Sequence, residues 1–184
     1  MQKRSNRLAL RVLSTATFLA MVSSCTTAAF ADTYDLTEGS VTVNAKSDGT
    51  YVTQIDSDNK YVKNASGYDL NNYKDETPVT LTTGGKEEKN NTASIYTEKG
   101  VSTTVTLDNV NIDASGTNKA AIDTKGKVTL ELDGNNTLTG GTGHAALEKY
   151  STASNNVPDE NYTLTLQDKT TDETTGGGVV RPAA

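Results

Sequence analysis

The chain has 184 residues and a formal net charge of −6, with 17 Lys and Arg against 23 Asp and Glu, one His, one Cys and no Trp. A single cysteine excludes a disulfide framework and a Cys-based zinc cluster, and the acidic balance argues against a nucleic-acid backbone as partner. Hydrophobic residues make up only 34 %, so either a thin, repetitive core or partial disorder is expected.

Residues 1–31 carry Lys3, Arg4, Arg7 and Arg11 and no acidic residue, then the apolar stretch Val12 to Val22, then small residues ending in Ala29-Phe30-Ala31. A basic start, an apolar middle and an A-x-A end are the parts of a secretory signal peptide cleaved after Ala31. The apolar run is too short for a stable membrane anchor. Val22-Ser23-Ser24-Cys25 offers a second processing route, acylation of Cys25, which would tether the chain to a membrane by lipid alone. Either route makes the protein secreted or surface-bound. Removing this segment leaves 153 residues, Asp32–Ala184, at a net charge of −10, with Arg181 the one remaining arginine.

Residues 32–76 hold five of the eight tyrosines (Tyr34, Tyr51, Tyr61, Tyr68 and Tyr73) and strand-like pieces around the polar turn Asp56 to Lys60. They match no later segment and are expected to form an N-terminal cap or irregular first coils. Asp56-Ser57-Asp58-Asn59-Lys60 begins like a calcium loop but has Lys at its fifth position and no following Gly, which favours a plain turn.

From residue 77 the sequence repeats. Thr104–Asp123 laid over Thr129–Glu148, at an offset of 25 and without a gap, is identical at eight of twenty positions. Val79-Thr80-Leu81 matches Val105-Thr106-Leu107 at offset 26, Ser94–Thr97 resembles Ala121–Thr124, and Thr163–Leu166 matches Thr129–Leu132 at offset 34. The last offset requires an inserted loop, placed at the polar segment 151–159. Each run is apolar or β-branched with period two and bounded by Gly, Asn or Asp, which predicts short strands. A period near 25 predicts an all-β right-handed parallel β-helix over residues 77–180, with coils about 4.8 Å apart and a narrow Val/Leu/Ile/Ala core. Ala120-Ala121 and Ala145-Ala146 are expected where coils approach closely. An antiparallel β-sandwich is the alternative for the same strands. Residues 181–184 read as a tail. With Gly176-Gly177-Gly178 following an incomplete repeat, the chain reads as the N-terminal part of a longer protein.

Offset 25 places Asp108 over Asp133, Asn111 over Asn136, and Asp123 over Glu148. The two carboxylate pairs are candidate ligands for a hard cation, Ca²⁺, which takes six to eight oxygens; solvated turns are the plainer reading of Asp108 and Asp133, and a bend-stabilising ladder that of the asparagines. Tyr96, Tyr150 and the N-terminal tyrosine cluster are candidate sugar-stacking residues, with Asn111 and Asn136 as hydroxyl partners; the plainer reading of the tyrosines is packing or surface. His144 aligns with Lys119 and is expected to be exposed. With no arginine between Arg11 and Arg181, an Arg-based polysaccharide lyase is excluded. Lys119, Lys125 and Lys127 remain open as bases by type alone; a hydrolase would want paired acids around the sugar, and no adjacent Asp-Asp pair occurs. No catalytic residue is assigned.

Val105–Asp113, Ala120–Ile122 and Gly126–Leu138 resemble the repeats of secreted bacterial carbohydrate-binding-domain proteins, over about Val101 to Leu166. That resemblance implies a right-handed parallel β-helix with affinity for acidic polysaccharides such as pectin, calcium being involved. The expected function is therefore a non-catalytic extracellular module for polysaccharide or a host or cell-surface glycan, with Ca²⁺ as candidate cofactor. The alternative is a structural adhesin stalk that displays loops without binding glycan, and a lyase-like enzyme is a remote third.

Overall fold

The computed structural model describes residues 32–75, 78–150 and 162–168, all within the unit Ala31–Ala184. The expected signal segment with Ala31 and Cys25, the expected inserted loop 151–159 and the expected tail 181–184 lie outside the described residues.

Fourteen strands and no helix make up the described residues: β1 Asp32–Asp35, β2 Ser40–Lys46, β3 Gly49–Ile55, β4 Tyr73–Asp75, β5 Val79–Thr82, β6 Glu88–Lys89, β7 Ala93–Thr97, β8 Ser102–Asp108, β9 Asn111–Asp113, β10 Ile122–Lys125, β11 Lys127–Asp133, β12 Thr137–Thr139, β13 Leu147–Tyr150 and β14 Leu164–Gln167. They form a five-stranded sheet β1-β5-β8-β11-β14, a six-stranded sheet β13-β10-β7-β2-β3-β4 and a three-stranded sheet β12-β9-β6. The five- and three-stranded sheets are wholly parallel.

The expected β-helix is corrected here, as is the sandwich alternative. The sheets are parallel in part and mixed in part, and they form no closed solenoid. In the six-stranded sheet β2 pairs in parallel with β7, but β3 runs antiparallel to β2 and β4 antiparallel to β3. The cause is local: β2 turns at Ser47-Asp48 straight into β3, and a two-residue connection can only return the chain antiparallel. The supported description is an all-β protein with mixed sheets. Within residues 32–75, β1 pairs with β5 and β2 with β7, so this segment shares both large sheets with the repeats.

Alternation explains the thin core. On the central strands β2, β5, β7, β8, β10 and β11 buried residues alternate with more exposed ones, as in the BiBi pattern of Val79–Thr82, because side chains alternate between faces with period two. Parallel register then lines up equals: Leu81 with Leu107, Leu107 with Leu132, and Val79 with Val105. All but Leu132, at 7 %, are essentially inaccessible to solvent.

Three registers depart from the sequence alignment. Asn111 pairs with Thr137, not Asn136, so Ile112 meets Leu138; both are fully buried. The corner after β11 holds one more residue than the corner after β8, and this places leucine on isoleucine where the ungapped alignment set Ile112 over Thr137. Leu164 pairs with Val128 instead of Leu130. Ile95 pairs with Thr124 instead of Ile122. The last two are slips of two residues, which keep every side chain on its own face. Ala121 is fully buried under its neighbours, whereas Ala145 is exposed because β13 is the sheet's edge.

Candidate functional site

The outer face of the six-stranded sheet carries two rows of side chains. Because Val41, Val43, Ala45, Ala93, Ile95, Ile122 and Thr124 are buried, alternation turns Thr42, Asn44, Ser94, Tyr96, Asp123 and Lys125 outward. Pairing register then sets Tyr51, Asn44, Tyr96, Lys125 and Tyr150 side by side across five strands. The adjacent row is Thr53, Thr42, Ser94, Asp123 and Glu148.

A groove of about 530 Å³ runs along the first row, lined by Asn44, Lys46, Tyr96, Glu98, Lys125 and Tyr150 among others. Tyr150 is 48 % exposed, and Tyr96 is half-buried. Lys46 Nζ lies 4.7 Å from the Tyr51 ring centroid, a cation–π contact that holds the ammonium at the groove's end. Tyr51 is itself fixed by donating its hydroxyl to Asp48 Oδ2 at 2.8 Å. Glu98 Oε2 accepts from the Ser47 amide at 3.3 Å. Among the described residues Lys125 joins none of the ion pairs.

The second row is acidic and mostly engaged. Ser94 Oγ donates to Asp123 Oδ2 at 3.2 Å, while Asp123 Oδ1 is buried without a hydrogen-bond partner. Glu148 accepts from the Ala145 amide at 2.9 Å and lies 3.1 Å from His144 Nδ1. The His144 bond, with the amide behind it, holds the Glu148 carboxyl below its usual range. His144 is thus half-buried and paired, contrary to the exposure expected from its match with Lys119. The two rows are tied together through the phenols. Glu148, by its charge and a hydrogen bond, pushes the Tyr150 phenol up. Burial raises the Tyr96 phenol, with a hydrogen bond to Asp123 adding to it.

The remaining expected site residues scatter. Asp108 and Asp133 do pair, on β8 and β11, but in the five-stranded sheet, away from Asp123 and Glu148 in the six-stranded one. Asp108 Oδ1 accepts from Asn109 Nδ2 at 2.7 Å. The two pairs lie in different sheets, and no group of three or more His, Cys, Asp or Glu that could hold a metal ion occurs among the described residues. Asn111 and Asn136 do not reach the groove. Asn136 is buried at 1 %; its Oδ1 accepts from the Val110 amide at 2.9 Å and its Nδ2 donates to the Asp133 carbonyl at 3.0 Å, so it holds the β11–β12 corner. In the Asp56 turn the Asp58 and Lys60 amides both donate to Asp56 Oδ1, at 2.9 and 2.8 Å, which is what a turn requires.

Tyr96 and Tyr150 therefore share one groove, while Asn44, Lys46 and Lys125 are its members that sequence reading passed over as glycan contacts. The available signal was register: laying Tyr96 over Lys125, two residues from the alignment used, would have exposed the row. Comparison with protein-family models, with curated proteins and with solved structures found no match.

Proposed function

We propose that this protein is a non-catalytic module that binds an acidic polysaccharide along the Tyr96–Lys125–Tyr150 row. The observation that carries the reading is a cation set between two accessible phenol rings in one open groove. Sugar rings present C–H faces that pack on an aromatic face, and their hydroxyls find partners in Asn44 and Glu98. A uronate carboxylate finds Lys125 and Lys46. An open groove on a flat β face suits a polymer, which passes through without being enclosed.

The test is retention on immobilised polygalacturonate, hyaluronan and a neutral glucan, with and without EGTA. Retention on acidic but not neutral polymer is expected, lost in Tyr96→Ala and Tyr150→Ala. Retention that survives EGTA assigns the anion to the lysines. Retention that requires calcium assigns it to an ion between the glycan and the Asp123–Glu148 pair. No retention on any glycan defeats the reading in favour of structural display.

A further inference from the structure

We infer that the row selects a glycan in which acidic and neutral sugars alternate over one with a carboxylate on every sugar; this rests on the groove being a polysaccharide site. Neighbouring strands lie about 4.8 Å apart, so Lys125 stands one strand from each tyrosine and the two tyrosines stand roughly 10 Å apart. An extended pyranose chain advances by about one strand spacing per sugar. A chain lying across the strands therefore sets successive sugars on Tyr96, Lys125 and Tyr150: a stacking position, a charged position and a stacking position.

Electrostatics then distinguishes the positions. Lys125 forms no ion pair with the described residues and is open to a carboxylate. The stacking positions are the reverse. Asp123 accepts from Ser94 Oγ, two residues from Tyr96 on β7, and Glu148 stands two residues from Tyr150 on β13. A sugar carboxylate over either ring meets a like charge of the second row, whereas a neutral sugar meets hydrogen-bond acceptors for its hydroxyls. One charge contact at about 4 Å in water corresponds to roughly a fivefold change in affinity. A homopolymer of uronates incurs that penalty at two positions of three, and an alternating polymer at neither. The same period extends along the row, where Asn44 precedes Tyr96 and Tyr51 precedes Asn44, with Lys46 held over the Tyr51 ring.

The experiment is isothermal titration of the protein with size-matched oligosaccharides. One set is hyaluronan fragments (uronate alternating with N-acetylhexosamine), one is oligogalacturonates, and one is neutral cellodextrins. Hyaluronan fragments are expected to bind at least about fivefold tighter than oligogalacturonates of equal length, by the same charge arithmetic. Lys125→Gln should bring hyaluronan down to the cellodextrin level, and Lys125→Arg, which keeps the charge, should preserve the preference. Equal or tighter binding of oligogalacturonate overturns the alternation while leaving acidic-polysaccharide binding in place. Failure of every acidic oligosaccharide to bind overturns both. An unchanged preference in Lys125→Gln, with the variant shown folded by its unfolding midpoint, also overturns it.

Discussion

Gly126 is the whole connection between β10 and β11, so the chain turns from the six-stranded to the five-stranded sheet on one residue. Its φ is +95°, a region that side chains with a Cβ avoid. A Cβ built there would strike Thr97 Oγ1 and lie 2.9 Å from the Thr97 carbonyl oxygen. Thr97 Oγ1 also accepts the Lys127 amide at 3.0 Å, so relieving the clash by moving Thr97 loses that bond. Gly126→Ala should therefore cost about 1–2 kcal/mol for the backbone conformation and about 1 kcal/mol for the displaced hydrogen bond. For a unit of this size, 2–3 kcal/mol is a fall in melting temperature of about 5–10 °C. Urea denaturation followed by circular dichroism measures it. Adding Thr97→Ala removes the struck hydroxyl, so the double variant should be less destabilised than the sum of the single ones. A Gly126→Ala protein as stable as the parent, or strict additivity with Thr97→Ala, would refute this account of the corner.

Two further outcomes concern the second row. Asp123→Asn removes one of two like charges set directly across β10 and β13, and a pair of that kind costs about 0.2–1 kcal/mol. The variant should gain stability of that order in low salt and less in high salt, and a loss of stability in thermal melts would contradict the pairing. Glu148 has its carboxyl pKa lowered in the fold from an ordinary 4.5, first by His144 and then by the Ala145 amide. A lowered folded value means that the carboxylate's contribution is complete above the unfolded value and is lost as pH falls through the folded one. Stability should therefore decline below about pH 4.5, with a shallower decline in Glu148→Gln; identical acid limbs for the two proteins would show that the contacts do not matter.

Much of the fold was written locally. The alternation in Val79–Thr82, Thr104–Leu107 and Val128–Leu132 announces strands with one buried face, and the offsets of 25 and 26 between β5, β8 and β11 are the observed registers. The hairpin β2–β3 was not legible as such: it has no counterpart in the repeat, and the direction of a strand is decided by the length of the connection before it. Register at the corners was also hidden, because an ungapped alignment rewards identity, as with Asn111 and Asn136. The fold instead rewards burial and pairs Ile112 with Leu138. The site was half legible. Tyr96 and Tyr150 stood out as aromatics among polar residues, but Lys125 gains its meaning only from standing between them, and that neighbourhood exists only once three strands are paired.

The corner after β11 takes one residue more than the corner after β8, and the next connection takes one fewer, so β10 and β13 return to an offset of 25. Between β11 and β14 the interval grows to 36 residues, yet Leu164 still joins the column of Val128. Length differences are thus absorbed where the chain turns and are erased by the next buried column. For the history of such a sequence, insertions and deletions at corners are nearly free, whereas a slip of one residue inside a strand would turn its leucines to water. Loops can diverge, lengthen or acquire new contacts while Tyr96 and Lys125 keep their places, because the buried Ile95 and Thr124 beside them fix the alignment, and Tyr150 follows by pairing with Lys125.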